Sequence, residues 1–295
     1  MYQKEKPVRR HKRIFRTKVN RSVGDNAFVF FLLTLLALFT ALPLYLSIIN
    51  SLKPLNELWI FPPRFYVMNP TFTNFRDLFS IMEDSTIPFV RYVFNTVFTT
   101  AVGTLGCVFI GSMCAYPMAK HRYPGSRLFF RLVWLSLMFS PAVMTIPTYL
   151  IVSKLNLIDS YASIILPAFG GTLSVYLMKQ FIEQIPDAIL EAARIDGASE
   201  YRIFFSVVMP SVKSAWLTVV LFTVQSLWTA SGTTYIYTES KKPLSYALHQ
   251  IITSGVARAG VAAAASVLMM SVPICVFIFT QSNVIETMAS SGVKE

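Results

Sequence analysis

The 295-residue chain is poor in charged residues, in cysteine and in histidine. Asp, Glu, Lys and Arg make up only 14% of it, whereas a soluble domain carries about 25%. Hydrophobic residues make up 54%, which excludes an ordinary water-soluble domain and a disordered chain. Three cysteines within apolar runs exclude a disulfide framework, and three scattered histidines offer no ligand spacing, so we predict no metal site.

Six apolar segments have about the 20-residue length that a membrane-spanning helix needs. They are Ala27–Ile49, Phe89–Pro117, Leu128–Ser153, Ala162–Phe181, Ser214–Ala230 and Gly260–Thr280. The fourth contains Pro167 and a glycine pair, and the fifth is short. The sequence therefore predicts an all-α membrane protein with six transmembrane helices.

The basic residues predict the orientation of these helices. Nine of the 26 Lys and Arg residues lie in the first 21 positions, ahead of the first apolar segment. With the N-terminus in the cytoplasm, 18 of the 26 face the cytoplasm, as the positive-inside rule requires. We therefore expect a basic cytoplasmic tail (1–26), a six-span domain (27–280) and a cytoplasmic C-terminal tail (281–295). This distribution favours contact with membrane lipid and argues against binding of nucleic acid.

Acidic residues are absent from all six predicted spans. Proton-driven carriers usually place a titratable group in the membrane, and no acidic residue is available for this role in the predicted spans. A sodium-coupled mechanism stays open, because hydroxyl and carbonyl oxygens can bind the ion. The chain also lacks a phosphate-binding Gly-x-x-x-x-Gly-Lys-Ser/Thr loop and any convincing catalytic constellation. We therefore expect a protein that is not an enzyme, binds no cofactor itself, and takes energy for uphill transport from a partner.

The most informative segment is the loop at 183–213, between the fourth and fifth predicted spans. Pro186 and Asp187 are typical of a helix N-terminus, and Gly197 is typical of the position just after a helix. Ser199 predicts the start of a second short helix, and Pro210 predicts a bend into the fifth span. An exposed helix of this kind either packs on its own protein or receives the surface of another one.

The segment Glu191-Ala-Ala-Arg-Ile-Asp-Gly197, followed by Pro210, resembles the EAA signature of permease subunits of bacterial ABC importers. Weaker resemblances at 115–125, 146–149, 155–157, 166–167 and 290–294 extend over nearly the whole chain. Together they indicate the sugar-importer branch, similar to the smaller permease of maltose-type importers. Ser214 and Thr229 depart from the family pattern, where proline and asparagine are common.

The resemblance implies a type I importer permease fold and a set of partners. These are a second permease subunit, two ATP-binding subunits that hold ATP and Mg, and an extracellular solute-binding protein that delivers a carbohydrate. The signature helix would dock on an ATPase subunit, and the ATPase contacts implied there are Glu191, Ala192, Ala193, Arg194, Asp196 and Gly197. A second implied contact with the ATPase pair is the tail at Ser291, Gly292, Val293 and Lys294.

Aromatic and polar side chains within or beside the spans are candidates for a sugar pathway. They are Asn95, Thr99, Tyr149, Tyr176, Gln225 and Trp228, each of which is also a reasonable packing residue. Two long loops, at 50–88 and 231–257, are expected on the outer side. The resemblance implies that the second, which carries Tyr235, Tyr237 and Tyr246, reaches the binding protein.

Small residues recur every four positions in the second predicted span, at Gly103, Cys107, Gly111, Ala115 and Ala119. Such a stripe allows close helix packing and carries no information about a substrate. Three other functions stay open at this stage: an ABC permease for a non-sugar solute, a stand-alone secondary carrier, and a membrane scaffold without transport activity.

Overall fold

The computed structural model describes residues 23–83, 87–121, 123–232, 234–253, 255 and 258–292. The predicted basic tail up to residue 22 and the last three residues lie outside this part. Within these ranges the chain is helical and contains no strand. The helices are α1 (Val23–Leu52), α2 (Leu55–Leu58), α3 (Thr73–Glu83), α4 (Phe89–Lys120), α5 (Ser126–Ser136), α6 (Pro141–Lys154), α7 (Ala162–Phe169), α8 (Thr172–Glu183), α9 (Asp187–Ile195), α10 (Glu200–Ile203), α11 (Met209–Ser211), α12 (Lys213–Thr229), α13 (Leu244–Thr253) and α14 (Ala259–Gly292).

Among the residues that the structure describes, four helical segments are long and apolar enough to cross a membrane. They are Asn26–Leu52, Phe89–Lys120, Ala162–Glu183 and Ala259–Ser282. Two further pairs of helices pass the same test together but are strongly bent, which gives up to six spans. The all-helical fold class is thus confirmed, and the count of six and the position of the termini stay predictions.

The third predicted span, Leu128–Ser153, is not one straight helix. It consists of α5 and α6, whose axes differ by 114°. Pro141 is the first residue of α6, and Ser140 before it has extended backbone angles (φ −64°, ψ 139°). The proline ring disfavours helical geometry in the preceding residue, so the chain turns here before the second helix begins.

The fifth predicted span begins at a second bend. The segment Glu200–Ser211 and α12 meet at 78°, just after Pro210, as the sequence predicts. The segment also contains a π-helical turn, Phe204–Val208, that the sequence did not indicate. On its own, α12 has 17 residues, which is short for a span because about 20 are needed.

The chain divides into two compact units, residues 1–46 and 47–295. The described part of the first unit belongs to α1, which presents large apolar side chains to its surroundings, Phe30 and Phe39 among them. The second unit contains two cores. One joins Cys107, Met178, Leu190 and Val208, and the other joins Leu78, Trp228, Leu248 and Ala264 with their neighbours.

The small-residue stripe of α4 lies against α7, α8 and α12, which confirms its packing role. A side chain at Gly111 would collide with Ser174, and a Cβ at Gly171 would lie 2.6 Å from Sγ of Cys107. The hydroxyl of Ser174 donates to the carbonyl of Cys107 at 3.1 Å. Close approach of the two backbones therefore depends on the absence of larger side chains at these positions.

The first long loop, itself part of the second unit, packs against the second core through α3. The buried amide of Asn74, in α3, donates to the carbonyls of Ser51 (2.8 Å) and Lys53 (2.7 Å). Leu78 and Met82, on the same helix, join the second core. At the other end of the chain, α14 runs on to Gly292, twelve residues beyond the predicted end of the sixth span at Thr280.

Candidate functional site

The helix α9, Asp187–Ile195, occupies the position that the sequence predicted for the signature helix. Pro186 is its N-cap residue and has extended backbone angles, and Asp187 follows at the positive end of the helix. The helix ends with a Schellman motif, because Gly197 N–H donates to the carbonyl of Arg194 and Ala198 N–H donates to that of Ala193, both at 3.0 Å. Gly197 has φ +77°, which favours glycine, and open space lies around its Cα.

Only a narrow side of α9 faces the protein. Leu190, 2% exposed, belongs to the first core, and Ala193 packs against that core. Ile195 is 86% exposed, and Ile189 and Ala192 are exposed as well. Glu191 is exposed, and no partner contacts its carboxylate within the part of the chain that the structure describes. A mixed apolar and acidic surface thus points away from the protein.

The second half of the loop carries its own ion pair. Arg194 Nε donates to Oε1 of Glu200 at 2.8 Å, and this bond raises the pKa of the guanidinium. Ser199 caps α10 by accepting from the Arg202 amide, as predicted. Arg194 is therefore engaged within the loop, while Asp196, the C-cap residue of α9, is exposed.

Two candidate pathway residues of α4 are used inside the protein. Asn95, 1% exposed, donates from Nδ2 to the carbonyls of Ser240 and Lys242, both at 2.9 Å. Its Oδ1 accepts from the Tyr161 hydroxyl at 2.7 Å. The buried Thr99 donates to the carbonyl of Asn95 one turn earlier. Their polar atoms therefore stabilise the fold and are directed at protein groups.

Trp228 is likewise a packing residue in this structure. Its ring belongs to the second core, and Nε1 donates to the carbonyl of Met269 at 3.0 Å. Gln225, on the same helix, is exposed. Tyr176 is half-buried and stacks on Phe130, with 6.1 Å between ring centroids.

Tyr149 meets two tyrosines of the second long loop. Its ring is nearly parallel to that of Tyr235 at 6.4 Å, and its hydroxyl lies 3.5 Å from that of Tyr237. Burial raises the pKa of Tyr235. A predicted pathway residue thus meets the predicted binding-protein loop here, as Asn95 does at Ser240 and Lys242. Tyr176 makes its contacts elsewhere.

Asp159 holds the same loop and was missed by the sequence analysis. Its Oδ1 accepts from the amides of Tyr237 (3.1 Å) and Thr238 (2.8 Å), and its Oδ2 accepts from the Thr238 hydroxyl and from Lys241. The Thr238 hydroxyl, its amide and the other donors hold the pKa of the Asp159 carboxyl well below its usual range. Nothing local marks this residue in the sequence, because its partners lie about 80 positions away.

Residues 107–287, more than half of the chain, match the model of one protein family, the binding-protein-dependent transport system inner membrane component. The chain belongs to this family. The matched region contains α9 and the whole 183–213 loop, so the signature identified in the sequence lies within it. Members of this family are inner membrane components of transport systems that depend on a binding protein, which agrees with the apolar helices of this chain that are long enough to cross a membrane.

Three relatives with curated names match this chain, and two of them are named as transport system permeases. LplC of Bacillus subtilis is 34% identical over 188 residues, covering 60% of this chain and 63% of that protein. The polygalacturonan/rhamnogalacturonan transport system permease YtcP of the same organism is 33% identical over 174 residues (55% and 60%). The sn-glycerol-3-phosphate transport system permease UgpE of Pectobacterium atrosepticum is 31% identical over 173 residues (58% and 62%). The chain thus matches less than two thirds of the length of these curated relatives.

The fold of this chain is that of a solved chain from an ABC transporter. A bacterial transporter involved in the import of the acidic polysaccharide alginate superposes with a TM-score of 0.75 at 23% identity, over 89% of this chain and 98% of that one. The alginate transporter in complex with its alginate-bound periplasmic protein gives 0.61 at 15% identity, over 88% and 94%. The likeness supports the expected importer permease fold.

Proposed function

We propose that this permease is one subunit of an ATP-driven importer that moves a carbohydrate, in particular an oligosaccharide, across the bacterial cytoplasmic membrane by alternating access. The observation that carries the proposal is the outward surface of α9, where Ile195 and Glu191 lie exposed while Leu190 fixes the helix to the core. Family membership supports the transport role. Similarity to a permease named for polygalacturonan/rhamnogalacturonan supports the substrate class.

Both termini are proposed to lie in the cytoplasm, with six spans formed by α1, α4, α5–α6, α7–α8, α12 and α14. This orientation rests on the basic residues, 18 of which then face inward. It places α9 in the cytoplasm and the segments at 50–88 and 231–257 outside. The proposed partners are a second permease subunit, two ATP-binding subunits that hold ATP and Mg, and an extracellular binding protein.

The surface of α9 is suited to docking on an ATP-binding subunit. Ala192 leaves room for close approach, and the exposed side chains of Ile189 and Ile195 supply apolar area that gains free energy when it leaves water. Glu191 is proposed to pair with a basic residue of that subunit. Arg194 and Asp196 are proposed to lie at the edge of the contact, with Gly197 allowing the turn to α10.

The C-terminus is proposed as a second contact with the ATP-binding pair. The helix α14 extends to Gly292, so Ser291 and Gly292 end a long helical continuation of the sixth span. Val293 and Lys294 follow outside the described residues. A helix that projects beyond the membrane would bring these four residues within reach of a cytoplasmic partner.

The proposed sugar pathway centres on Tyr149, with Tyr235 and Tyr237 beside it at its outer end. Tyrosine rings offer an apolar face with a polar edge, which suits contact with a sugar ring. Gln225 and Tyr176 remain candidates in the spans. Asn95, Thr99 and Trp228 are proposed to support the pathway through packing, because their polar groups are directed at protein atoms.

A phosphorylated small solute is the second candidate substrate, because a relative at 31% identity is named as an sn-glycerol-3-phosphate permease. The ligand of the cognate binding protein decides between the two. Titration with a neutral oligosaccharide, an acidic oligosaccharide and glycerol 3-phosphate should give tight binding of an oligosaccharide. Exclusive binding of glycerol 3-phosphate would replace the carbohydrate proposal.

Transport itself is tested with the purified assembly in proteoliposomes. We expect the tagged permease to copurify with an ATP-binding subunit, and sugar uptake to require both ATP and the binding protein. Uptake by the permease alone, driven by an ion gradient, would establish a secondary carrier. Absence of both transport and a bound ATPase would indicate a scaffold.

A further inference from the structure

The cytoplasmic end of α4 is attached to the start of α9 by one buried lysine. Lys120, the last residue of α4, has a side chain only 6% exposed. Its Nζ donates to the carbonyl of Ile185 at 2.5 Å and pairs with Oδ1 of Asp187 at 2.7 Å. A buried ammonium is costly unless it is paired, so this geometry joins the two elements firmly.

One turn earlier, α4 is also attached to the far end of the loop. The buried hydroxyl of Tyr116 donates to Oε2 of Glu200 at 2.8 Å, and the same carboxylate binds Arg194 of α9 through Oε1. The Tyr116 ring packs against Phe204. Both ends of α9 are therefore fixed to a single transmembrane helix. We call Tyr116, Lys120, Asp187, Arg194 and Glu200 the loop clamp.

The opposite end of α4 holds the 239–244 segment of the outer loop. Asn95 donates to two of its carbonyls, and the Tyr92 hydroxyl donates to Oε1 of Glu239 at 3.0 Å. The buried hydroxyl of Thr96 accepts from the Leu244 amide at 2.7 Å. We call Tyr92, Asn95, Thr96, Glu239 and Leu244 the outer clamp.

An unbroken helix joins the two clamps. Tyr116 lies 20 positions after Thr96, and at a rise of 1.5 Å per residue this distance is about 30 Å, the thickness of the hydrocarbon core. Proline enters α4 only at Pro117, beyond this stretch. The stripe at Gly103 and Gly111 keeps the stretch closely packed, so it moves as one rigid element.

We infer that α4 mechanically links the docking surface of α9 to the 239–244 segment on the other side of the membrane. The inference rests on the proposed function. A displacement of α9 by the ATP-binding subunits then moves the outer segment, and a binding protein seated near that segment biases the ATP-binding subunits in return. Coupling between two sites is reciprocal, so both directions follow from one linkage.

The first experiment follows the outer segment directly in the complete transporter in nanodiscs. A spin label is placed at Tyr237, which is exposed and close to the outer clamp, and its ATP-dependent spectral change is recorded. A cross-linking cysteine at Ile195 reports in parallel whether α9 engages the ATP-binding subunit. In the variant Tyr116→Phe with Lys120→Met, we expect the cross-link to persist and the response at residue 237 to disappear.

A matched control comes from a second buried lysine. Lys179 is also shielded, and it pairs with Glu183 at 2.5 Å, but both residues belong to α8. Lys179→Met therefore removes a comparable ion pair without separating α4 from the loop, and it should retain the response. An unchanged response in the Tyr116 and Lys120 variant, with the cross-link intact, would overturn the inference.

The reverse direction is tested by the binding of a non-hydrolysable ATP analogue. In Tyr92→Phe with Thr96→Val, the change in analogue affinity that the binding protein produces should shrink about 5-fold or more, the lower end of typical site-to-site coupling. An unchanged effect of the binding protein on this affinity would contradict the linkage. Should Lys120→Met fail to assemble, Tyr116→Phe with Asp187→Asn takes its place, since this variant removes the hydroxyl and the ion pair and leaves the buried lysine its carbonyl acceptor at Ile185. A wild-type chain that forms no cross-link to an ATP-binding subunit would refute the proposed function and leave the linkage without a role.

Discussion

The ammonium of Lys120 lies 2.7 Å from Oδ1 of Asp187 and so joins the last residue of one membrane helix to the first residue of the exposed helix α9. The lysine is shielded, whereas the aspartate is three-quarters exposed. The pair therefore leaves the outward surface of α9 free while it fixes the base of the helix. A surface meant to receive a partner and transmit its motion needs both properties.

Reversing the charge at Glu191 should prevent docking of the ATP-binding subunit. Glu191 is exposed, so Glu191→Lys should leave folding nearly unchanged, within about 0.5 kcal/mol. Loss of one partner of a buried interfacial pair costs about 2–5 kcal/mol, which weakens docking about 30-fold to 4,000-fold. The measurement is affinity for the ATP-binding subunit together with sugar uptake.

The control for that variant must be an acidic residue that has no partner. Glu183 is unsuitable because it pairs with Lys179. Asp77, exposed on α3, contacts no partner among the described residues, so Asp77→Lys should leave docking intact. Equal weakening in both variants would remove the evidence for a specific role of Glu191.

Gly197→Ala should strain the turn between α9 and α10. The backbone at Gly197 has φ +77°, and nothing lies within 4 Å of an added Cβ, so the cost is conformational. Left-handed geometry costs a non-glycine residue about 1–2 kcal/mol. We expect faster hydrogen exchange of the backbone amides in the loop that joins α9 and α10. We also expect weaker coupling between the ATP-binding subunits and transport. Gly125→Ala, at another open glycine with positive φ, serves as the control and should leave the exchange of α9 unchanged.

Asp159→Asn should loosen the segment 235–241 at neutral pH. The depressed pKa of Asp159 means that the folded protein favours the ionised form, so its stabilising contribution is present above the ordinary pKa of about 3.9 and is lost as the pH falls through the folded value. At pH 7 the loop should therefore be more sensitive to protease in the variant than in the wild type. In the wild type this sensitivity should change little as the pH is lowered to about 4. A variant with the sensitivity of the wild type at pH 7 would argue against the role of this carboxylate.

The proposed orientation can be tested by labelling intact cells with a membrane-impermeant maleimide. Phe61, 93% exposed in the first long loop, and Ile195, on α9, are the most suitable cysteine positions. Lys120 is a poor position because its side chain is shielded in the loop clamp. We expect labelling of Phe61→Cys and none of Ile195→Cys, with the parent chain measuring the background from its three cysteines. The opposite pattern would invert the topology.

Local features of the fold were predicted well from the sequence. Proline before α9, aspartate at its first position, glycine after it and serine before α10 marked the ends of both loop helices, because caps depend on a few adjacent residues. Pro210 marked the bend into α12 for the same reason. The break between α5 and α6 at Pro141 was missed, since a continuous apolar run predicts a span regardless of the angle within it.

The sequence by itself determined that the chain is all-helical, has long apolar segments and carries a short capped helix after Pro186, since hydropathy and helix caps are local properties. The resemblance of Glu191–Gly197 to the EAA signature indicated the family. The tertiary structure decided which side of α9 faces outward, and it brought the amide of Asn95 to carbonyls 145 and 147 residues away. It also brought Lys120 to Asp187, Tyr116 to Glu200 and Asp159 to Thr238. Such contacts join residues that are distant in the chain, and only the packing of the helices brings their side chains within bonding distance.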